Sequence, residues 1–242
     1  MKPRIEAVWF GNGKYERMAK VFEATARAHC QGWDINLRRI EEQQIDAHRA
    51  ANKGHVANTQ KLEDWNSIVQ DAPAGARLLL IDTDTFFVNP IDDIWDQDFD
   101  IAYTVKRSQF PFNLGVIFLR ATDASKAFFA AWTQNNRVML QKKVIHRQYR
   151  DRFGGINQAS FGRTIETQAV RGVNLLGIPC ATWNCEDSAW NSFDPGKTRI
   201  VHVKSALRRA LFDNDREAMA KPGVPRLVEM WKQLEAREMA EA

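Results

Sequence analysis

The chain has 242 residues, 44% hydrophobic and 26% charged, with a net charge of +4 from 34 basic and 30 acidic side chains. That length suits one large α/β domain or two small ones, and the composition is ordinary for a soluble globular protein. No stretch approaches the roughly 18 consecutive apolar residues of a membrane span, and the mild charge permits an anionic substrate without demanding nucleic acid.

In chain order, Ile5 to Phe10 reads as a short apolar strand and Gly11-Asn12-Gly13 as a turn. Lys14 to His29 reads as a helix with Met18, Val21, Phe22 and Thr25 on one face. Ile35 to Ile40 alternates like a strand, Asn58 to Val69 reads as a helix, and Ala72-Pro73-Ala74-Gly75 stops it. Leu78 to Ile81 is a buried strand. This β-α-β-α-β order predicts a parallel sheet with right-handed crossovers. Further strands are expected at Asp100–Val105, Asn113–Leu119, Leu175–Thr182 and Arg199–Val203. Helices are expected at Ala124–Asn135, from Asn157 after a Gly154-Gly155 hinge, and at Pro222–Ala240. With no repeat, low-complexity tract or linker, residues 1–242 read as one domain. It divides into parts of about 1–105 and 106–210 and a terminal helix of about 222–240.

Three cysteines, Cys30, Cys180 and Cys185, are too few and too odd for a disulfide framework, and they read as small buried residues. The N-terminus lacks the apolar core and cleavage site of a signal peptide, and the chain has no Asn-x-Ser/Thr sequon. The expectation is a cytoplasmic protein. Residues 137–152 carry Arg137, Lys142, Lys143, Arg147, Arg150 and Arg152 against Asp151 alone. This is either a solvated helix face or a docking surface for something anionic.

The most informative stretch is Arg77-Leu-Leu-Leu-Ile-Asp82-Thr-Asp84. Its two carboxylates lie at the carboxyl end of a buried strand, where ligands bind in open α/β sheets. Residues i and i+2 of a strand share a face, so the two acids converge. Converged anions need a cation between them, and a hard divalent ion completed by phosphate oxygens is the expected occupant. A bare Asp-x-Asp also suits two solvated aspartates at a strand end. It resembles the nucleophile motif of haloacid-dehalogenase-type phosphatases too, but that motif sits on a first strand, and here about eighty residues precede it.

Wider matches separate these readings. Leu80 to Asp84 with Phe87-Val-Asn-Pro-Ile91, then Phe112-Asn-Leu-Gly-Val116, Asn157-Gln158, and His202 followed by Lys204 and Arg208 run in order along the chain. In this the chain resembles glycosyltransferases of the GT-A fold, nearest to family 8 (galactosyltransferase and glycogenin-like) and related nucleotide-diphospho-sugar transferases. Asn157 stands where that family has an acidic residue, Leu114 where it has a small one, and the glycine and Lys-Pro-Trp of its late histidine segment are missing.

The resemblance implies an α/β, Rossmann-like single GT-A domain over 1–242, with a mainly parallel central sheet flanked by helices, its nucleotide-binding part about 1–105 and its acceptor side about 106–210. It also implies transfer of a sugar from a nucleotide diphosphate donor, UDP-linked, to an acceptor hydroxyl with retention. Asp82, Asp84 and His202 would bind the metal, Mn²⁺ or else Mg²⁺, since a mixed oxygen and nitrogen set suits Mn²⁺ better. Thr83, Asn113 and Gly115 would line the donor, and Lys61 would match a basic donor-binding position. Phe10, Asn12 and Tyr15 would take the base and ribose, and Lys204 and Arg208 the diphosphate charge. Gln158 and Asn157 would lie at the anomeric carbon. An inverting enzyme would need a base, for which Glu186 and Asp187, beside Trp183 and Trp190, are candidates. Trp183, Trp190, Phe110 and Phe112 are candidate stacking platforms. The acceptor is a glycan, lipid-linked glycan, protein or a modified base in nucleic acid. A nucleotidyltransferase and a non-catalytic nucleic-acid or anionic-surface binding module are the alternatives.

Overall fold

A computed structural model of the chain describes residues 1–10, 13–40 and 53–241. Its centre is a six-stranded sheet in the order β2-β1-β3-β6-β5-β7. The strands are β1 Arg4–Phe10, β2 Asp34–Ile40, β3 Arg77–Asp82, β5 Ile101–Val105, β6 Phe112–Arg120 and β7 Leu175–Pro179. From β1 the chain crosses to β2 on one side and returns to β3 on the other, both parallel to β1. β6 alone runs against its neighbours β3 and β5, and β7 pairs parallel to β5. Five strands therefore share one direction, as the sequence predicts.

Long apolar runs form this sheet because both of its faces are covered. On β3 and β6, Leu78, Leu80, Ile117 and Leu119 pack to one side with Leu62, Trp65, Phe128 and Trp132. Leu79, Ile81, Val116 and Phe118 pack to the other with Phe22, Phe87, Ile94 and Trp183. Helix α1 Lys14–His29 supplies Phe22, α2 Lys53–Asp71 supplies Leu62 and Trp65, and α3 Asp123–Gln141 supplies Phe128 and Trp132. A reciprocal Thr122–Ser125 capping box starts α3. Burying each Leu or Phe contributes about 1.5–3 kcal/mol, which fixes which residues of β3 and β6 can face the site.

The charged stretch, read as a solvated helix face or a docking surface, is helical as α4 Lys143–Phe153, ending at Gly154 with φ 92° before α5 Ile156–Glu166. The expected strand to Thr182 stops at Pro179 and becomes one helical turn, α6 Cys180–Trp183, because the alternation carries no information once the chain leaves the ladder. The basic stretch after the last strand is α7 Ser205–Phe212, followed by α8 Arg216–Met219 and α9 Val224–Glu241.

A second, two-stranded ribbon joins β4 Thr85–Phe87 to β8 Ile200–His202 in antiparallel register. It sits on a cluster containing Phe86, Val201, Val203, Leu227 and Trp231. Among the described residues no helix is long and apolar enough to cross a membrane.

Candidate active site

β3 ends at Asp82, and the chain bends through Thr83 and Asp84 before entering β4. Asp84 is therefore not the next same-face residue of a strand. Its position comes from the ribbon. Thr85 lies opposite His202, Val203 N–H donates to Asp84 O at 2.7 Å, and His202 N–H donates to Cys185 O at 2.9 Å. The ribbon thus carries an imidazole to the end of β3. One ligand atom each from Asp82, Asp84 and His202 lies within 4.8 Å of the others, and His202 Nε2 is 3.1 Å from Asp84 Oδ1.

β6 forms the floor. Because β6 is antiparallel to β3, with Ile81 opposite Val116, its first residues reach the same sheet edge as Asp82. A Cβ at Gly115 would stand 2.7 Å from His202 Cε1, 2.9 Å from Asp82 Oδ2 and 3.1 Å from Asn113 Oδ1. Only glycine leaves this cradle open. Two carboxylates and one imidazole nitrogen around such a space suit a divalent ion that accepts both oxygen and nitrogen.

Cations of the protein also surround the acids. Lys61 Nζ, on α2, bonds Asp82 Oδ1, and Arg208, on α7, bonds Asp84 Oδ2 and, at 3.0 Å, Val203 O. Burial works to raise the Asp84 carboxyl's pKa, but His202, Arg208 and Lys61 outweigh it and hold it well below the usual carboxylate range. The sequence argument that the acids require a metal between them missed these built-in counter-charges, which come from positions 21 and 124 residues away. Tyr15 joins the group: Arg208 Nη1 donates to its hydroxyl at 3.4 Å, and the guanidinium lies 5.5 Å from its ring centroid.

The other expected residues divide. Thr83 is buried between the two acids in the chain, and Phe10 packs partly buried against the core side that includes Val8 and Leu62. Asn12 lies outside the described residues. Asn113 Oδ1 accepts the Gly115 N–H at 2.8 Å, so the Asn113 amide is locked at the cradle. Gln158 Nε2 donates to Phe112 O at 2.8 Å, which sets its amide beside the start of β6.

Other expected residues have protein partners of their own, Asn157 among them. Its Oδ1 accepts from Asn136 Nδ2 at 2.8 Å and its Nδ2 donates to Asn58 O at 2.9 Å, so the amide clasps α2, α3 and α5 together. Glu186, one of the two candidate bases, has a side chain that is 0% exposed. Lys106 Nζ at 2.9 Å and Lys204 Nζ at 2.7 Å hold its Oε2, and Ser188 N–H holds Oε1 at 3.2 Å. Burial pushes its pKa up, but the hydrogen bond with Asp187 and the Lys204 ammonium prevail and leave it well below the ordinary glutamate value. Asp187 is raised, first by burial and then by Glu186. Trp183, Trp190 and Phe112 are core residues; Phe112 stacks on Phe153 with ring centroids 5.3 Å apart. Arg209 pairs with Asp215 at 2.8 Å. On α4, Arg152 pairs with Glu166, and the helix otherwise presents a charged outer face.

Three participants escaped the sequence reading. His202 Nδ1 faces Asn184 Oδ1 at 2.9 Å, Asn184 Nδ2 donates to Thr104 Oγ1 at 3.1 Å, and Thr104 Oγ1 donates to Asn113 O at 2.5 Å. Lys106 reaches Glu186 across 80 residues of sequence. No local pattern marks any of them, since each is defined by a partner distant in the chain.

The profile of the family described as nucleotide-diphospho-sugar transferases matches residues 26–202, most of the chain. No curated protein matches the sequence. The fold is similar to that of a glycosyltransferase involved in glycosylation of the major capsid of PBCV-1, with TM-score 0.57 and 13% identity over 84% of this chain and 95% of that one. It is similar to the apo-form glycosyltransferase GlyE of Streptococcus pneumoniae TIGR4, with TM-score 0.59 and 14% identity over 97% of this chain and 60% of that one. It is also similar to the galactosyltransferase LgtC in complex with donor and acceptor sugar analogues, with TM-score 0.54 and 12% identity over 97% and 95%. At these identities the likeness is one of fold, and the fold is GT-A.

Proposed function

We propose a metal-assisted transfer for this chain, which belongs to the nucleotide-diphospho-sugar transferase family and is a glycosyltransferase. Asp82, Asp84 and His202 Nε2 would hold a divalent ion, Mn²⁺ in preference to Mg²⁺ because one of the three donors is nitrogen. Bound there, the ion supplies Lewis-acid stabilisation of the charge that grows on the departing diphosphate. The observation that carries the reading is the convergence of the three ligand atoms over the glycine cradle.

The chain's own residues do the rest. Lys61 and Arg208, already paired with the acids, stand where an incoming diphosphate would meet them. Lys204, held by Glu186, adds a third cation beyond His202. Tyr15 and Phe10 support the nucleoside at the end of β1, and Asn12 belongs to the same expected group. Asn113, Thr83 and Gly115 border the diphosphate and sugar. In the reaction, the bond between the anomeric carbon and the diphosphate oxygen breaks, and its electron pair leaves with the diphosphate. The acceptor hydroxyl oxygen bonds that carbon and gives its proton to the diphosphate on the same face, which retains configuration. Gln158, fixed through Phe112 O, offers an amide to the developing positive charge without forming a bond. Glu186 is enclosed by Lys106 and Lys204, so of the two acids considered for an inverting path only Asp187 is solvent-accessible, and retention rests on the family resemblance.

Thermal melts with Mn²⁺ plus each of UDP, GDP, CDP and ADP test the reading. A diphosphate at a hundred times its Kd stabilises by about 2.7 kcal/mol, a Tm rise of about 5–10 °C at this size. The proposal expects that rise with UDP, abolished by chelation and in Asp84→Ala. No rise with any of the four would sink it.

A further inference from the structure

We infer that Asn184 is a positioning residue that sets which nitrogen of His202 faces the metal cradle, and through it the preference for Mn²⁺ over Mg²⁺. The inference rests on the metal reading of the Asp82–Asp84–His202 site and goes beyond it to a residue that touches neither ion nor donor.

The argument starts from a group with no freedom. Asn113 O is a backbone carbonyl and can only accept. Thr104 Oγ1, 2.5 Å away, must therefore spend its single hydrogen on that carbonyl. Its remaining capacity is as an acceptor, so the Asn184 atom at 3.1 Å must be the NH₂ end of the amide. That orients Asn184 with Oδ1 toward His202 Nδ1 at 2.9 Å. An amide oxygen only accepts, so Nδ1 carries a hydrogen. The chain of donors runs one way, from imidazole to amide to hydroxyl to carbonyl. It leaves Nε2 as the nitrogen directed at Asp84, 3.1 Å off. A proton on Nε2 is exchangeable for an ion, whereas one on Nδ1 is not.

The site is built for this. Asn184 and Thr104 are 0% exposed, so water cannot substitute for either bond. Asn184 closes the single turn of α6, its N–H donating to Cys180 O at 2.9 Å and its own carbonyl accepting from Cys180 Sγ at 3.0 Å. The β5–β6 register shifts between Tyr103 and Thr104, and past that shift Thr104 pairs with Asn113. The irregularity is thus anchored at one end of the chain of donors, and the imidazole at the other.

Removing an outer partner of a metal-binding histidine typically weakens the metal about 10- to 100-fold. The loss should fall on Mn²⁺, which gains from nitrogen, more than on Mg²⁺, which is satisfied by oxygens and water. Asn184→Leu removes the acceptor, and Asn184→Asp keeps an oxygen against Nδ1. Thr104→Val, nearly isosteric, frees the amide to flip.

Two readouts test the inference on the full chain. Nitrogen-15 NMR of the His202 ring in metal-free protein should show Nδ1 protonated in wild type and Asn184→Asp, and mixed tautomers in Asn184→Leu and Thr104→Val. Mn²⁺ titration followed by electron paramagnetic resonance, with Mg²⁺ as competitor, should show Asn184→Leu at least tenfold weaker for Mn²⁺, with the Mn²⁺ to Mg²⁺ ratio narrowed, and Asn184→Asp within threefold of wild type. A purely structural asparagine would lower melting temperature without moving tautomer or ratio. If wild type binds Mn²⁺ and Asn184→Leu and Thr104→Val bind it equally well with the ratio unchanged, the inference falls and the metal reading stands. If wild type retains no Mn²⁺, the metal reading falls and the inference with it.

Discussion

Gly115→Ala puts the cradle under a graded load. A methyl group there would meet His202 Cε1 at 2.7 Å and Asp82 Oδ2 at 2.9 Å, and both are side-chain atoms. Carbon atoms are comfortable at about 3.5–4.0 Å, so His202 must retreat by about 1 Å or the strand must shift. Gly115 lies inside the β6 ladder beside Val116, so the strand is the stiffer partner and the two metal-binding side chains yield. Overpacking of this kind costs about 1–3 kcal/mol, a minority of the about 5–15 kcal/mol that holds a typical domain folded. The variant should therefore fold, melt a few degrees lower, and bind Mn²⁺ at least tenfold more weakly by isothermal calorimetry. Wild-type Mn²⁺ affinity in a folded Gly115→Ala protein would refute the claim that this space is where the ion sits.

The remaining predictions concern the charges and the helix clasp. Glu186→Gln strands Lys106 and Lys204, and because Lys204 is partly exposed the loss in urea unfolding should be about 2–4 kcal/mol, at the lower side of buried-pair losses; a loss under 0.5 kcal/mol would contradict the burial argument. The Glu186 carboxyl's folded pKa lies below its ordinary 4.5, so its contribution is whole above that pH and is lost as pH falls through the folded value. Wild type should accordingly lose stability more steeply than Glu186→Gln below pH 4.5 in an acid unfolding series. Asn157→Asp sets a carboxylate oxygen against the Asn58 carbonyl in place of an N–H donor, and should cost about 1–3 kcal/mol in the same unfolding assay. Lys61→Met should raise the donor KM about tenfold or more with kcat changed less, since it removes a charge-assisted contact worth about 1.5–3 kcal/mol; an unchanged KM would remove Lys61 from the donor site.

The sequence exposes what depends on neighbours along the chain. β3 and β6 are legible because burial on both faces demands unbroken aliphatic runs, Leu78–Ile81 and Val116–Leu119. α1 is legible because Met18, Val21, Phe22 and Thr25 keep helical spacing on its buried side. Asp82 and Asp84 stand out because carboxylates directly after such a run have no packing role. In the ribbon, β8 was legible within the expected strand Arg199–Val203, but β4, with three residues, was not, nor was the pairing that brings His202 to Asp84. The charge of helix α4 left it open to two readings, a solvated face or a docking surface, because only His146 and Phe153 are buried. The partners of Asn157, Asn184 and Glu186 were not legible because Asn136, Thr104 and Lys106 lie 21 to 80 residues away. A polar residue's role is written in what it faces, and that is a tertiary fact.

The central claim is that the two aspartates and the histidine share one divalent ion that clasps a nucleotide diphosphate. Anomalous X-ray diffraction from crystals grown with Mn²⁺ and UDP tests it most directly. The account predicts one manganese peak within about 2.0–2.3 Å of Asp82, Asp84 and His202 Nε2, with diphosphate oxygens completing its shell. A manganese peak elsewhere, with His202 Nε2 still against Asp84 and the diphosphate bound apart from both, would contradict it.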